Sequence, residues 1–325
     1  MKAKNHKSNS WFSNLKLSIL LGIGLSTFGC QTHPTAVEKS SIDKVQLGEK
    51  LFFDKRFSAD QTISCASCHE PSKYFTDQKR ISKGVFQREG NRNAPSLLNV
   101  HSLPVLNWDG GVNSIETQML VPISDLREMN TSIPKIITLL KNDSAYVSAF
   151  NSVWEEEGIT AFTFTRTLGA YIRSLQSNQS KFDLYLRGEV EMTDEELLGR
   201  DLFFSERTKC SVCHEPPHFT NNQLMNNGIH ETYIDSGKAR VTFKHEDLYF
   251  FKVPSLRNVE HTFPYMHDGS FQTLEEVVEH YNLGGKKHPK QSPLIQPLSL
   301  TNEEQNALVK FLQSLTDLTV VDSIQ

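Results

Sequence analysis

The chain has 325 residues, enough for two compact domains, and its 38% hydrophobic and 22% charged residues are the balance of a globular protein, not a disordered or fibrous one. A formal net charge of −4 and a pI near 6.3 give no basic stripe, so nucleic-acid binding is not supported. At the start, Lys2, Lys4, Lys7 and Lys16 precede an apolar run from Leu17 to Phe28, the n-region and h-region of an export signal and too short for a comfortable membrane span. The run ends at Gly29-Cys30, a small residue followed by Cys as at a bacterial lipoprotein cleavage site, although Thr27 and Phe28 depart from the usual residues there. The expectation is an export signal over 1–30, a lipid on Cys30 anchoring the chain to a membrane, a polar tether over 31–41 and a periplasmic location. The plainer alternative is a spare signal cysteine removed with its neighbours.

Two stretches further on are copies of one element: Cys65-Ala66-Ser67-Cys68-His69 and Cys210-Ser211-Val212-Cys213-His214. Each reads C-x-x-C-H, the spacing at which two thiols on one helical turn reach the vinyl groups of a haem while the next His turns its imidazole onto the iron. Two covalent c-type haems follow, held by Cys65, Cys68, Cys210 and Cys213, with His69 and His214 as iron ligands. A zinc site of four thiolates or a redox dithiol leaves the repeated His unexplained.

The repeat extends beyond the motifs, which marks a duplicated module. Leu47-Gly48-Glu49-Lys50-Leu51-Phe52-Phe53 answers Leu198-Gly199-Arg200-Asp201-Leu202-Phe203-Phe204, and Phe75-Thr76 answers Phe219-Thr220. Pro95-Ser96-Leu97-Leu98-Asn99-Val100 answers Pro254-Ser255-Leu256-Arg257-Asn258-Val259, and Asp109-Gly110 answers Asp268-Gly269 at the same spacing. Helices are expected over 159–175 and after the capping boxes at Thr193, Thr273 and Thr301, the second of these stopped by Gly284-Gly285. No alternating pattern of useful length predicts a strand. The fold expected is all-α, two tandem cytochrome c-like domains over 42–180 and 181–325, each with one covalent haem.

The copies differ where a second iron ligand would stand. The same count from Asp109 and from Asp268 reaches Pro122 in one copy and Tyr281 in the other. Proline cannot ligate, whereas a phenol can coordinate ferric iron, so the first haem is expected open and the second closed; an ordinary core tyrosine is the alternative. Gln118 and Glu128 flank Pro122, and Glu128 is the candidate carrier for the proton that peroxide cleavage moves between oxygens, against the plain alternative of a solvated loop glutamate. Trp108, where the second copy has His267, could relay electrons or could simply be packed.

Together these marks, with Arg92-Asn93-Ala94-Pro95-Ser96, Trp108-Asp109-Gly110 and Pro264-Tyr265-Met266-His267-Asp268-Gly269, resemble the bacterial di-haem cytochrome c peroxidases over residues 42 to 316, and within them the MauG-like branch. The resemblance implies that the N-terminal haem reacts with peroxide, that Gln118 and Glu128 line it, and that Trp108 lies between the haems. It also implies a calcium ion held by Asn93 and the backbone of Thr262 and Pro264. Two positions depart from ordinary members. Val85 stands where they carry a histidine that blocks the peroxidatic haem until the other haem is reduced. Tyr281 stands where they carry a methionine, and a tyrosine is the MauG-like mark, implying that the two haems store oxidising equivalents together and spend them on residues of another protein.

The leading expectation is therefore a peroxide-dependent di-haem oxidoreductase acting on a protein partner. The alternatives are a scavenging peroxidase drawing electrons from a small cytochrome or copper protein, and a di-haem electron carrier. Pro122 speaks against the carrier, which would want both irons six-coordinate.

Overall fold

The computed structural model describes residues 42–322, so the expected export signal, the tether and Cys30 lie outside the described residues. In the first half of the chain α1 (Lys44–Phe53) is followed by short α2 (Ile115–Gln118) and α3 (Leu120–Ser124), then α4 (Ile133–Lys141), α5 (Ser144–Trp154) and α6 (Ala161–Ser174). The second half holds α7 (Lys181–Leu186), α8 (Asp194–Phe203), α9 (Cys210–Cys213), α10 (Ala239–Thr242), α11 (Leu274–Asn282), α12 (Asn302–Gln313) and α13 (Thr319–Asp322). Sheet is confined, among the described residues, to β1 (Leu224–Met225) and β2 (Phe251–Lys252), antiparallel with Leu224 opposite Lys252, and a few isolated bridges. The helix-rich architecture agrees with the expectation.

The three expected capping boxes form. Thr193, Thr273 and Thr301 each accept the backbone N–H of the glutamate three residues on, whose side chain answers the cap's own N–H. After α11 ends, Gly284 and Gly285 take φ of +77° and +72°, the left-handed region that glycine enters without steric cost.

Packing repeats as the sequence does. Helix α1 lies on α6 and α8 on α12. At the crossings sit the matched glycines: a Cβ on Gly48 would run into the Thr167 carbonyl and Tyr171, and one on Gly199 into the Ala307 carbonyl and Phe311. One hydrophobic cluster gathers Leu47, Phe52, Phe75, Phe164 and Leu168, and another Phe182, Phe203, Phe219, Leu308 and Phe311. Val320 packs back into the first cluster. The matched asparagines repeat as well: both take φ of +59°, and their side chains pin the chain that leaves α6 and α12. Asn99 exchanges hydrogen bonds with the Ser177 backbone (2.8 and 3.0 Å), and Asn258 bonds the Ser177 hydroxyl (2.9 Å) and the Asp317 N–H (2.8 Å).

Since a methyl group at either crossing must push two helices apart, Gly48→Ala and Gly199→Ala are each expected to cost about 1–3 kcal/mol of stability. Urea unfolding monitored by circular dichroism checks this, and an unchanged midpoint would mean that the helices do not need the close approach.

Candidate functional site

Both attachment motifs form one helical turn, a 3₁₀ turn at Cys65–Ser67 and α9 at Cys210–Cys213, and all four thiols are free. Each following imidazole is held the same way. His69 Nδ1 lies 3.1 Å from the Phe75 carbonyl and His214 Nδ1 3.0 Å from that of Phe219. A carbonyl only accepts, so Nδ1 carries the proton and Nε2 keeps its lone pair, the tautomer and orientation of a metal-ligating histidine. Burial lowers the pKa of both rings, that of His214 to about 4, which keeps them in the neutral form that can ligate.

The larger cavity, about 260 Å³, brings together Cys210, Cys213 and His214 with Tyr281 of α11. Burial pushes the Tyr281 phenol up to about 12, partly offset by a hydrogen bond with Asn227, so the phenolate forms only where a cation compensates its charge. Free thiols, a lone-pair imidazole and a phenol around one mostly apolar cavity fit a covalently attached haem with two protein ligands. Asn93, Thr262 and Pro264 line the same cavity. The Asn93 amide nitrogen donates to the Lys79 carbonyl (3.0 Å), leaving its oxygen for other use. Among the described residues no group of three or more His, Cys, Asp or Glu is gathered for a metal, so a cation here would rely on amide and backbone oxygens.

A smaller cavity, about 100 Å³, is lined by Gln118 and Trp108. Trp108 lines both cavities, its indole N–H bonded to the Asn93 carbonyl (2.8 Å) and its own carbonyl accepting the Lys252 N–H (2.7 Å). Cys65, Cys68, His69, Pro122 and Glu128 line neither of these two cavities. Pro122 lies in α3, and its carbonyl accepts the Met129 N–H (3.1 Å), closing the turn that carries Glu128. Val85, fully buried, donates its N–H to the Glu128 carbonyl (2.9 Å), so the segment that could have carried a blocking histidine is tied to the Glu128 turn.

Glu128 keeps substantial solvent contact, as the plain expectation for a loop glutamate has it. Its carboxyl is nevertheless crowded by protein. Desolvation and then the charge of Asp125 push its pKa up to about 7, against the opposing pull of Arg240. Glu128 also bears on the half-buried Cys68 thiol, which puts it in the neighbourhood of the first attachment motif. Sequence reasoning missed Arg240, Lys252 and a stack of rings beside the larger cavity: His267 lies 3.7 Å from Phe251, centroid to centroid, and next to Tyr233. These residues, His267 apart, come from a segment that is longer in the second copy than in the first, so alignment of the repeat carries no signal for them.

Comparison with known proteins agrees with the motifs. The family model described as di-haem cytochrome c peroxidase matches residues 42–191. The methylamine utilization protein MauG of Methylorubrum extorquens is 34% identical over 87% of this chain and 80% of its own length. Cytochrome-c peroxidase IdrP2 of Denitromonas iodatirespirans is 32% identical over 84% of this chain and 82% of its own. Among solved structures, a MauG-like protein associated with microbial copper homeostasis superposes with a TM-score of 0.79 at 32% identity, covering 86% of this chain and 90% of that one.

The environment of Glu128 makes a prediction with a definite sign. The carboxyl is expected to titrate near 7, protonated below and ionised above, not near the ordinary 4.5. Asp125→Asn removes a negative neighbour and moves the midpoint down, whereas Arg240→Gln removes a cation and moves it up. Infrared difference spectra against pH, with the band assigned by Glu128→Gln, read these shifts; a midpoint near 4.5 in the parent protein would contradict them.

Proposed function

The chain belongs to the di-haem cytochrome c peroxidase family, oxidoreductases acting with peroxide, and from that premise we propose that it is a MauG-like enzyme that spends peroxide's oxidising power on a protein partner. The observation that carries this reading is that Tyr281 and His214 line one cavity, while no ligating side chain stands at Pro122 or Val85. Two c-type haems, one for each attachment motif, supply the iron redox chemistry when bound. The two hydrophobic clusters, Val320 apart, support a division into modules over 42–180 and 181–325, the first serving the peroxide-reacting site.

Reduction of hydrogen peroxide to two waters consumes two electrons and two protons. Glu128, poised near neutrality, takes the proton from one peroxide oxygen and returns it to the other, and Gln118 helps position the peroxide. Trp108, on the wall shared by the two cavities, relays electrons from the second site to the first. The electrons originate in oxidisable residues of the partner. Asn93 with the carbonyls of Thr262 and Pro264 would hold a calcium ion between the modules. The enzyme works in the periplasm, with Cys30 as the site of a lipid anchor; no described helix is long and apolar enough to cross a membrane.

A second reading is a scavenging peroxidase fed by a small cytochrome or copper protein, and the near-equal identity to a cytochrome-c peroxidase favours it. Tyr281 discriminates between the two. A phenolate favours the ferric state where a thioether favours the ferrous one. With two covalent haems verified by mass, Tyr281→Met is expected to raise the potential of the second haem and to shift turnover from protein oxidation toward ordinary peroxidase activity. A clearly positive potential in the parent protein, unmoved by the substitution, would favour the scavenging peroxidase.

A further inference from the structure

Lys252 lines both cavities, on the same wall as Trp108. Its backbone is fixed there by the antiparallel pairing opposite Leu224 and by the 2.7 Å hydrogen bond to the Trp108 carbonyl. Other lysines of the fold have acidic partners: Lys181 pairs with Glu196 and Lys238 with Asp247, both at 2.7 Å. No described residue makes an ion pair with Lys252. Neither cavity has a single Asp or Glu in its lining. Of the other lysine and arginine residues in these linings, Arg257 is spent on Asp183 (2.8 Å) and Lys209 is an exposed residue open to solvent.

An ammonium that protein largely screens from water, with no counter-ion beside it, is disfavoured in its charged form. Burial accordingly lowers the Lys252 pKa to about 8, which still leaves it a cation at neutral pH. Such a group calls for an anion delivered by whatever fills the cavities, and a haem carries two propionate carboxylates on one edge.

We propose that Lys252 is a haem-propionate anchor on the wall that the haem cavity of the second motif shares with the smaller cavity, where its charge raises the reduction potential of the haem it binds. The inference rests on the two-haem reading above. The contact is a charge-assisted hydrogen bond from Nζ to a propionate oxygen. Because the Lys252 N–H also holds the Trp108 carbonyl, one short strand positions both the propionate and the indole.

Haem is counted first, by mass and by the pyridine haemochrome spectrum; fewer than two covalent haems defeats the underlying reading, independently of Lys252. With two haems present, redox titration of the holoprotein is expected to show at least one midpoint potential falling in Lys252→Gln and returning in Lys252→Arg. Unchanged potentials in Lys252→Gln overturn the proposal, and so does a fall that Lys252→Arg fails to reverse, since that would mark a packing effect. Should Lys252→Gln fail to mature, the parent holoprotein supplies the reading: the propionate bending band in resonance Raman is expected to shift in deuterium oxide, and an insensitive band overturns the assignment.

Discussion

One buried carboxylate holds the arrangement together. Asp109, 1% exposed, accepts Arg92 at 2.7 Å and Arg240 at 2.7 and 2.9 Å, and caps its own turn through the Gly111 N–H at 3.0 Å. Burial alone would raise its pKa, but the two guanidiniums hold it below the ordinary carboxylate range. Arg92 continues to Asp235 at 2.7 Å. The two arms differ in weight. Arg92 is 14% exposed, so breaking its pair strands a buried charge, whereas Arg240 is 57% exposed and its arm is screened by water. Through this knot the Trp108 turn of the first copy is fastened to the inserted segment of the second. Trp108 is thereby set between the cavities, and Arg240 is brought within electrostatic reach of Glu128.

Within that frame the two copies share the way an imidazole is held after each motif and differ in the residues around it. Each proximal imidazole is oriented by a carbonyl from the loop after its motif, so both copies present the same donor. The second copy adds a half-buried phenol to the lining of its cavity. The first adds a proline and a valine, together with a glutamate whose pKa lies near neutrality because it is crowded by protein and stands beside Asp125. On the proposed reading, an oxygen donor for oxidised iron at one site and a poised proton carrier at the other are complementary requirements for a peroxide-driven oxidation.

Much of this was legible in the sequence because it is local. Capping boxes and the glycine pair after α11 depend on neighbours within a few residues, and both are found as expected. The matched Gly48 and Gly199 were visible as a repeat, but their reason, close approach of α6 and α12, needed the packed partner. What escaped was set by distant chain. Asp109 stood out in the sequence only as part of the repeat, not as an ion-pair hub, because Arg240 and Asp235 come from the segment that the repeat does not share. Lys252 offered no pattern at all; its meaning lies in two cavities without a carboxylate. Glu128 sits between these cases, exposed as a loop residue should be, yet electrostatically perturbed.

The central claim is that one copy leaves its haem iron open while the other closes it with Tyr281. Electron paramagnetic resonance of the ferric holoprotein as isolated, with no reductant added, tests this most directly. One high-spin five-coordinate signal and one low-spin signal of equal weight are expected. Low-spin iron alone, with a high-spin signal emerging only after partial reduction, would contradict it.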